Sequence, residues 1–281
     1  MNRPAGPIAL SVVAPAHNEQ DNLRPLVAEI AAALDPVALA YEIIIVDDGS
    51  TDSTPQILQT LLEQYPQLRA IRMLKTPLGT GHGQSSAFHA GFRASRGETI
   101  AVLDADLQND PADIPAMLNL MARTGADFVQ GDRSRARADT LIRRVTSLVG
   151  RVFRRGLLGD TIRDTGCSLR VMKREIALAL PLEFRGMHRF IPVTARHLGY
   201  RVVEMPVKHR PRIAGVAKYG IWNRALPGLI DCFAVRWMRT RRRPAAYVQM
   251  TSPADEFIEI ETRSKSGAKP QAAAEAELSR S

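Results

Sequence analysis

Cysteine is nearly absent: Cys167 and Cys232 are the only two among 281 residues. Two thiols cannot build a disulfide framework and show no metal-ligand spacing, which excludes a disulfide-stapled scaffold and makes a reducing, cytoplasmic setting the expectation. Long apolar runs are missing too. No stretch reaches the roughly 18 to 20 apolar residues of a spanning helix, and Met1 to Pro7 has no apolar core of signal-peptide length. Any membrane contact is therefore expected to be peripheral. Glycines supply no familiar phosphate cradle: Gly79-Thr80-Gly81-His82-Gly83 is neither a Walker loop, lacking Lys-Ser/Thr after its glycines, nor a dinucleotide fingerprint, and reads as a flexible, lid-like connection. Acidic charge is in the minority. The 29 Asp and Glu against 38 Lys and Arg leave a formal charge of +9, which implies an acidic partner: nucleic acid, an anionic membrane surface or phosphorylated substrates. The arginines cluster from Arg133 to Arg163 and again from Arg236 to Arg243, favouring discrete anion sites over a uniformly basic surface.

What is present is a repeated alternation of apolar strand, polar loop and helix. Strands are expected at Ile8 to Ala14, Tyr41 to Val46, Leu68 to Leu74, Ile100 to Leu103, Asp127 to Gln130 and Arg201 to Val207, with helices between them. That order argues for an α/β fold, a mostly parallel sheet with helices on both faces. From Gly220 on, Trp222, Leu226, Leu229, Ile230, Phe233 and Trp237 recur at helical spacing, followed by Arg239, Arg241, Arg242 and Arg243. Such a helix suits a membrane interface, or equally a place on the core with a solvated charged end. The expected division is a catalytic domain over 1–220, an amphipathic basic helix over 221–250 and a disordered tail over 251–281, where Ala, Ser, Glu and Lys dominate.

The chemistry concentrates at strand ends. Ile100 to Leu103 runs into Asp104-Ala105-Asp106-Leu107-Gln108, at the carboxyl end where open α/β sheets bind ligands. Alternate residues of an extended chain share a side, so both carboxylates are expected to face one ligand, and hard oxygens suit Mg²⁺ or Mn²⁺ holding a diphosphate. The plainer reading is a strand-to-helix turn, with Asn109 or Asp110 capping the helix that Pro111 begins. Two further strand ends carry Glu19 and Asp48, suited to the base and ribose of a nucleotide. Lys208 to Tyr219 forms a late basic loop whose arginine fork matches phosphate oxygens.

Together these stretches resemble the family 2 inverting glycosyltransferases, within them the group of dolichyl-phosphate mannose synthase and the bacterial polyprenyl-phosphate sugar transferases, whose fold is of the GT-A type. The resemblance runs from Leu10 to about Gly220 and rests on Val12-Val13-Ala14-Pro15-Ala16-His17-Asn18-Glu19, Ile45-Val46-Asp47-Asp48-Gly49-Ser50 and Asp104-Ala105-Asp106-Leu107-Gln108-Asn109-Asp110-Pro111. His17 stands where a tyrosine is usual. By that resemblance Pro15, His17, Glu19, Val46 and Asp48 would hold the nucleoside, Asp104 and Ala105 would line the sugar donor, and Asp106 and Gln108 would bind the cation. Arg133 would reach the reacting phosphates. Arg143 and Ser147 would take the acceptor phosphate with it, and Arg212 and Lys218 would close on the donor. Ala217 replaces the usual serine in that last loop, and the Gly79 to Gly83 loop lacks the usual lysine.

The resemblance implies transfer of a sugar from a GDP- or UDP-linked donor to a polyprenyl phosphate at the inner face of the cell membrane, by a peripheral enzyme touching anionic lipid or a membrane-protein partner, and not nucleic acid. Two alternatives stay open: the same fold acting on a glycan hydroxyl, with Asp164 as base, and a non-catalytic protein using its basic face on membrane or nucleic acid.

Overall fold

Strands that are apolar on both faces have to be covered on both, and the chain does this with one seven-stranded sheet between two sets of helices. The computed structural model describes residues 7–77, 79–134, 141–210 and 222–243, with side chains described throughout except at 141–149 and 222–226. The strands are β1 (Leu10–Ala16), β2 (Tyr41–Asp47), β3 (Leu68–Arg72), β4 (Thr99–Val102), β5 (Phe128–Asp132), β6 (Arg170–Lys173) and β7 (Val202–Pro206). The helices are α1 (Leu23–Leu34), α2 (Thr54–Gln64), α3 (Gln84–Ala94), α4 (Ile114–Thr124), α5 (Leu141–Leu158), α6 (Arg174–Ala179), α7 (Ile191–His197) and α8 (Trp222–Arg241).

The spatial order is β3-β2-β1-β4-β6-β5-β7. β1 is parallel to β2 on one side and to β4 on the other, and β2 is parallel to β3. The winding thus reverses between β1 and β4, and the crevice outside their carboxyl ends is where such sheets accept ligands. Residue parity divides the core. Val12, Ala14, Ile43, Ile45, Ala101 and Leu103 face one side, against Leu26 and Ile30 of α1, Leu58 of α2 and Met117 of α4. Val13, Ile44, Val46, Ile100 and Val102 face the other, against Phe88 and Phe92 of α3, Ile176 of α6, Ile191 of α7 and Val235 of α8.

Gly91 lets α3 settle onto β1: a Cβ there would come within 2.4 Å of Val13 Cγ1. At the amino-terminal edge of the sheet, remote from the crevice, Glu42 is buried and accepts hydrogen bonds from Ser11 Oγ (2.7 Å), the Arg96 backbone N–H (2.7 Å), Arg96 Nε (2.9 Å) and an Arg69 guanidinium N–H (2.8 Å). Burial alone would raise its pKa, but these bonds from Arg96, Ser11 and Arg69 outweigh it and hold the carboxylate below its ordinary range.

Two features differ from the sequence expectation. The segment after Asp164 forms strand β6 before its short helix, antiparallel to both β4 and β5. α8 packs on α5, and the compact unit runs on to Arg241, past the boundary expected at residue 220. The tail over 251–281 lies outside the described residues.

Candidate functional site

The loops after β1, β2 and β4 and the start of α3 enclose a cleft of about 580 Å³. Pro15, His17 and Glu19 line it from β1, Asp48 from β2, and Asp104, Ala105 and Asp106 from β4, opposite Gly79, Thr80, Gly83 and Gln84. The first two loops are tied together. Asn18, with φ +57°, donates its backbone N–H to Ser50 Oγ (2.9 Å) and accepts one from the Thr51 backbone (2.8 Å), while the Glu19 backbone N–H reaches Thr54 Oγ1 (3.0 Å). The His17 ring pairs through Nδ1 with the Asp48 carbonyl oxygen at 2.7 Å.

Asp48 is the hinge of the cleft. Its carboxylate accepts the backbone N–H of His82 at 2.8 Å and of Gly83 at 2.6 Å, capping the start of α3. Gly81 makes that approach feasible: it sits at φ +63°, and a Cβ would lie 2.5 Å from Asp48 Oδ2. The glycine loop, expected to be a flexible lid-like connection, is therefore fastened to Asp48 at its carboxyl end.

β4 ends at Val102, so Asp104 and Asp106 share the cleft through a turn and not through strand alternation. The Gln108 backbone N–H returns to Asp106 Oδ1 (3.2 Å), and Leu107 between them takes φ +60° with its side chain buried in the core. A buried leucine in that conformation costs on the order of 1–3 kcal/mol, which the surrounding packing must sustain. Asp104 accepts a hydrogen bond from Gln84 Nε2. Burial first and the Asp106 charge second raise its pKa, against the Ser168 hydroxyl and the charges of Arg170 and Arg133.

A cation at the cleft would offset the charge that Asp106 sets beside Asp104, and carboxylate oxygens match a hard divalent ion. Among the described residues no three His, Cys, Asp or Glu side chains surround a metal position. Of the two expected ligands Asp106 lines the cleft, and a carboxylate there suits the kind of Mg²⁺ or Mn²⁺ site in which substrate phosphates complete the shell.

Behind the carboxylates lies a buried basic wall. Arg133, expected to reach the reacting phosphates, instead grips Asp164: Nε to Oδ2 at 2.8 Å, a second guanidinium N–H to Oδ1 at 3.2 Å, and its own backbone N–H to Oδ2 at 3.2 Å. The Gly166 backbone N–H adds a fourth bond to that carboxylate at 3.1 Å. Burial would lower the Arg133 pKa, but the bonds and charge of Asp164 raise it. Arg170 was not anticipated from the sequence. It donates to the carbonyls of His188 and Thr165 and to Gln130 Oε1, each at 3.1 Å, and burial pushes it down to about 10. An arginine inside an otherwise apolar run, Leu169 to Met172, is the signal it leaves in the sequence. The Val46 side chain is in the apolar core with Val13 and Phe88, so it is the Val46 backbone, opposite Pro15, that adjoins the site.

Downstream of the carboxylates, Asp110 does cap the turn that Pro111 begins, accepting the Ala112 backbone N–H at 3.0 Å. It also joins a second anchor. The Arg210 backbone N–H bonds the Gln108 carbonyl (2.9 Å), and its guanidinium contacts Asp110 (2.9 Å) and Glu29 (2.6 Å). The chain entering residues 211–221 thus starts beside Gln108. Arg212 and Lys218 lie outside the described residues. Arg143 and Ser147 fall on α5, but their side chains are outside the described set.

The family profile described as Glycosyl transferase family 2 matches residues 11–180. The dodecaprenyl-phosphate galacturonate synthase of Rhizobium johnstonii is 34% identical over 88% of this chain and 72% of its own. The undecaprenyl-phosphate 4-deoxy-4-formamido-L-arabinose transferase of Edwardsiella ictaluri is 35% identical over 82% of this chain and 69% of its own. Among solved structures, a Pyrobaculum calidifontis mannosyltransferase in complex with GDP-Man and Mn²⁺ superposes with TM-score 0.60 at 20% identity, covering 87% of this chain and 69% of that one. Glucosyl-3-phosphoglycerate synthase of Mycobacterium tuberculosis, with Mn²⁺ and UDP, gives 0.59 at 20% identity over 87% and 85%. At that identity the two structures establish the shared fold.

Proposed function

The chain belongs to glycosyl transferase family 2, and on that premise we propose that it moves a sugar from a GDP- or UDP-linked donor to a polyprenyl phosphate with inversion at the anomeric carbon. One observation carries the reading: Glu19, Asp48, Asp104 and Asp106, from three different strand ends, line a single cleft of about 580 Å³ at the point where the winding reverses. The two curated relatives differ in the sugar they carry and share the polyprenyl-phosphate acceptor, which supports the acceptor class more than any one sugar.

In this reading Pro15, His17, Glu19 and Asp48 bind the nucleoside, and Asp104 and Ala105 line the sugar. Asp106 and Gln108 hold the divalent cation, which when bound would neutralise charge on the departing nucleoside diphosphate. Arg212 and Lys218 add positive charge from the segment launched at Arg210. A lipid phosphate is anionic at neutral pH and attacks without a base, so Arg143 and Ser147 need only hold it in line. Arg133 acts at one remove, by fixing Asp164 and the end of β5.

The hydroxyl alternative needs a base, and Asp164 is poorly suited to that role. A carboxylate offers about four lone-pair sites, and four N–H donors already approach those of Asp164. No described helix is long and apolar enough to cross a membrane, which is compatible with a peripheral enzyme at the inner membrane face.

The test is incubation of the purified chain with radiolabelled UDP- and GDP-sugars, uronic acids among them, with a polyprenyl phosphate and Mg²⁺ or Mn²⁺, followed by extraction into organic solvent. Label should enter the organic phase only when the acceptor carries its phosphate. Equal transfer to the free polyprenol, or to a glycan alone, would overturn the assignment.

A further inference from the structure

We propose that the outer face of α5 and α8 is a docking surface for an anionic lipid bilayer. The proposal rests on the acceptor assigned above and names the surface that brings the enzyme to it. α8 has two opposed faces. Cys232 and Val235 point into the core, and Asp231 points toward Arg189, 4.0 Å away. At about 100° of rotation per helical residue, Ile230, Phe233 and Trp237 fall on the opposite side, and they are 60%, 58% and 63% exposed. The stripe extends onto α5, where Phe153 meets Phe233 edge-on at 5.9 Å between ring centres and Val152 is 63% exposed.

Charge decides what this apolar strip fits. Residues 141–158 and 222–243 together contain eleven arginines and a single acidic residue, Asp231, and Asp231 faces inward. At about 100° per residue, exposed Arg236 falls on the Phe233 side of the stripe and exposed Arg241 on the Ile230 side, and Arg151 and Arg155 are exposed on α5. A second copy of this chain would set arginine against arginine across an isologous contact. An anionic bilayer offers the complement on both counts: acyl chains for the aromatic strip and phosphate headgroups for its basic margins.

The experiment uses the full chain and vesicles of phosphatidylcholine with increasing phosphatidylglycerol, free of polyprenyl phosphate and nucleotide sugar. Binding should rise with the anionic fraction and fall with salt. Ile230→Glu combined with Trp237→Glu should lower partitioning about tenfold while leaving the melting temperature unchanged, since both side chains are exposed and neither makes the contact with Phe153. Arg151→Glu with Arg155→Glu is the second variant, expected to act only on anionic vesicles. Failure of the unaltered chain to bind, equal binding by all forms, or loss of self-association in place of lipid binding would each overturn the surface. Transfer to a short, water-soluble polyprenyl phosphate without vesicles should be the same for the chain and both variants. A chain that binds vesicles but transfers to no polyprenyl phosphate would sink the activity and leave the surface standing.

Discussion

Arg133 and Asp164 form a buried, two-pronged ion pair, with Nε to Oδ2 at 2.8 Å and the second prong at 3.2 Å. It fastens the end of β5 to the loop that leads into β6. Removing one partner strands the other charge in the interior. Asp164→Ala is expected to cost about 3–5 kcal/mol, and Arg133→Met with Asp164→Leu to recover most of it. Urea denaturation of the unaltered chain and the two variants checks this, and a double variant no better than the single would refute it.

Gly81→Ala and Gly79→Ala separate sterics from backbone strain. Both glycines have positive φ, at +63° and +71°, but a Cβ at Gly81 meets Asp48 at 2.5 Å whereas one at Gly79 meets nothing within 4 Å. Gly79→Ala should cost about 1 kcal/mol of stability and little else. Gly81→Ala should also detach the loop from Asp48 and raise the donor KM more than it lowers kcat. Steady-state kinetics with varied nucleotide sugar distinguishes the two, and matching KM values would contradict the contact.

Glu42 sets an acid limit. Its folded pKa lies below the ordinary value, so its contribution is fully present above about pH 4.3 and disappears as pH falls through the lower folded pKa. The stability gap between the unaltered chain and Glu42→Gln should therefore be wide at pH 7 and narrow at pH 3. Paired chemical denaturation at the two pH values measures it, and a constant gap would show that the carboxylate charge plays no part.

Cation dependence belongs to Asp106. Calorimetric titration of the chain with UDP and GDP should show binding strengthened by Mn²⁺ for whichever nucleotide is native. In Asp106→Ala that gain should vanish while cation-free binding persists, because Asp48 and Glu19 remain. Undiminished Mn²⁺ enhancement in the variant would place the cation elsewhere.

The parallel half of the sheet was readable because Val12 to Ala14, Ile43 to Val46 and Ile100 to Val102 are apolar at every position, as strands covered on two sides must be. β6 was not. It spans four residues, begins with an arginine and ends with a lysine, and Arg170 tolerates burial only because Gln130 and the carbonyls of Thr165 and His188 receive it. Asp104 and Asp106 were legible as a pair, but alternation was the wrong reason: the strand has ended, and Leu107 turns the chain at positive φ. Strand parity points the Val46 side chain with Ile44 into the core and leaves its backbone beside Pro15. The pairing of Arg133 with Asp164 left no local trace, since the partners are far apart in sequence and meet only after β5 and β6 are aligned.

That alignment has a consequence for the order of events during synthesis. β5 lies between β6 and β7, and both neighbours are translated after it, so a nascent β5 has no strand to pair with until Arg170 has left the ribosome. β1 to β4 meet no such delay, because every parallel pairing among them is complete once Val102 is made. The β1 to β4 side of the cleft can therefore assemble first, with β4 as its exposed edge and β5 unpaired until β6 joins the two. A nascent chain arrested between Asp132 and Arg170 should bind a chaperone through that edge, and one arrested past Pro206 should not.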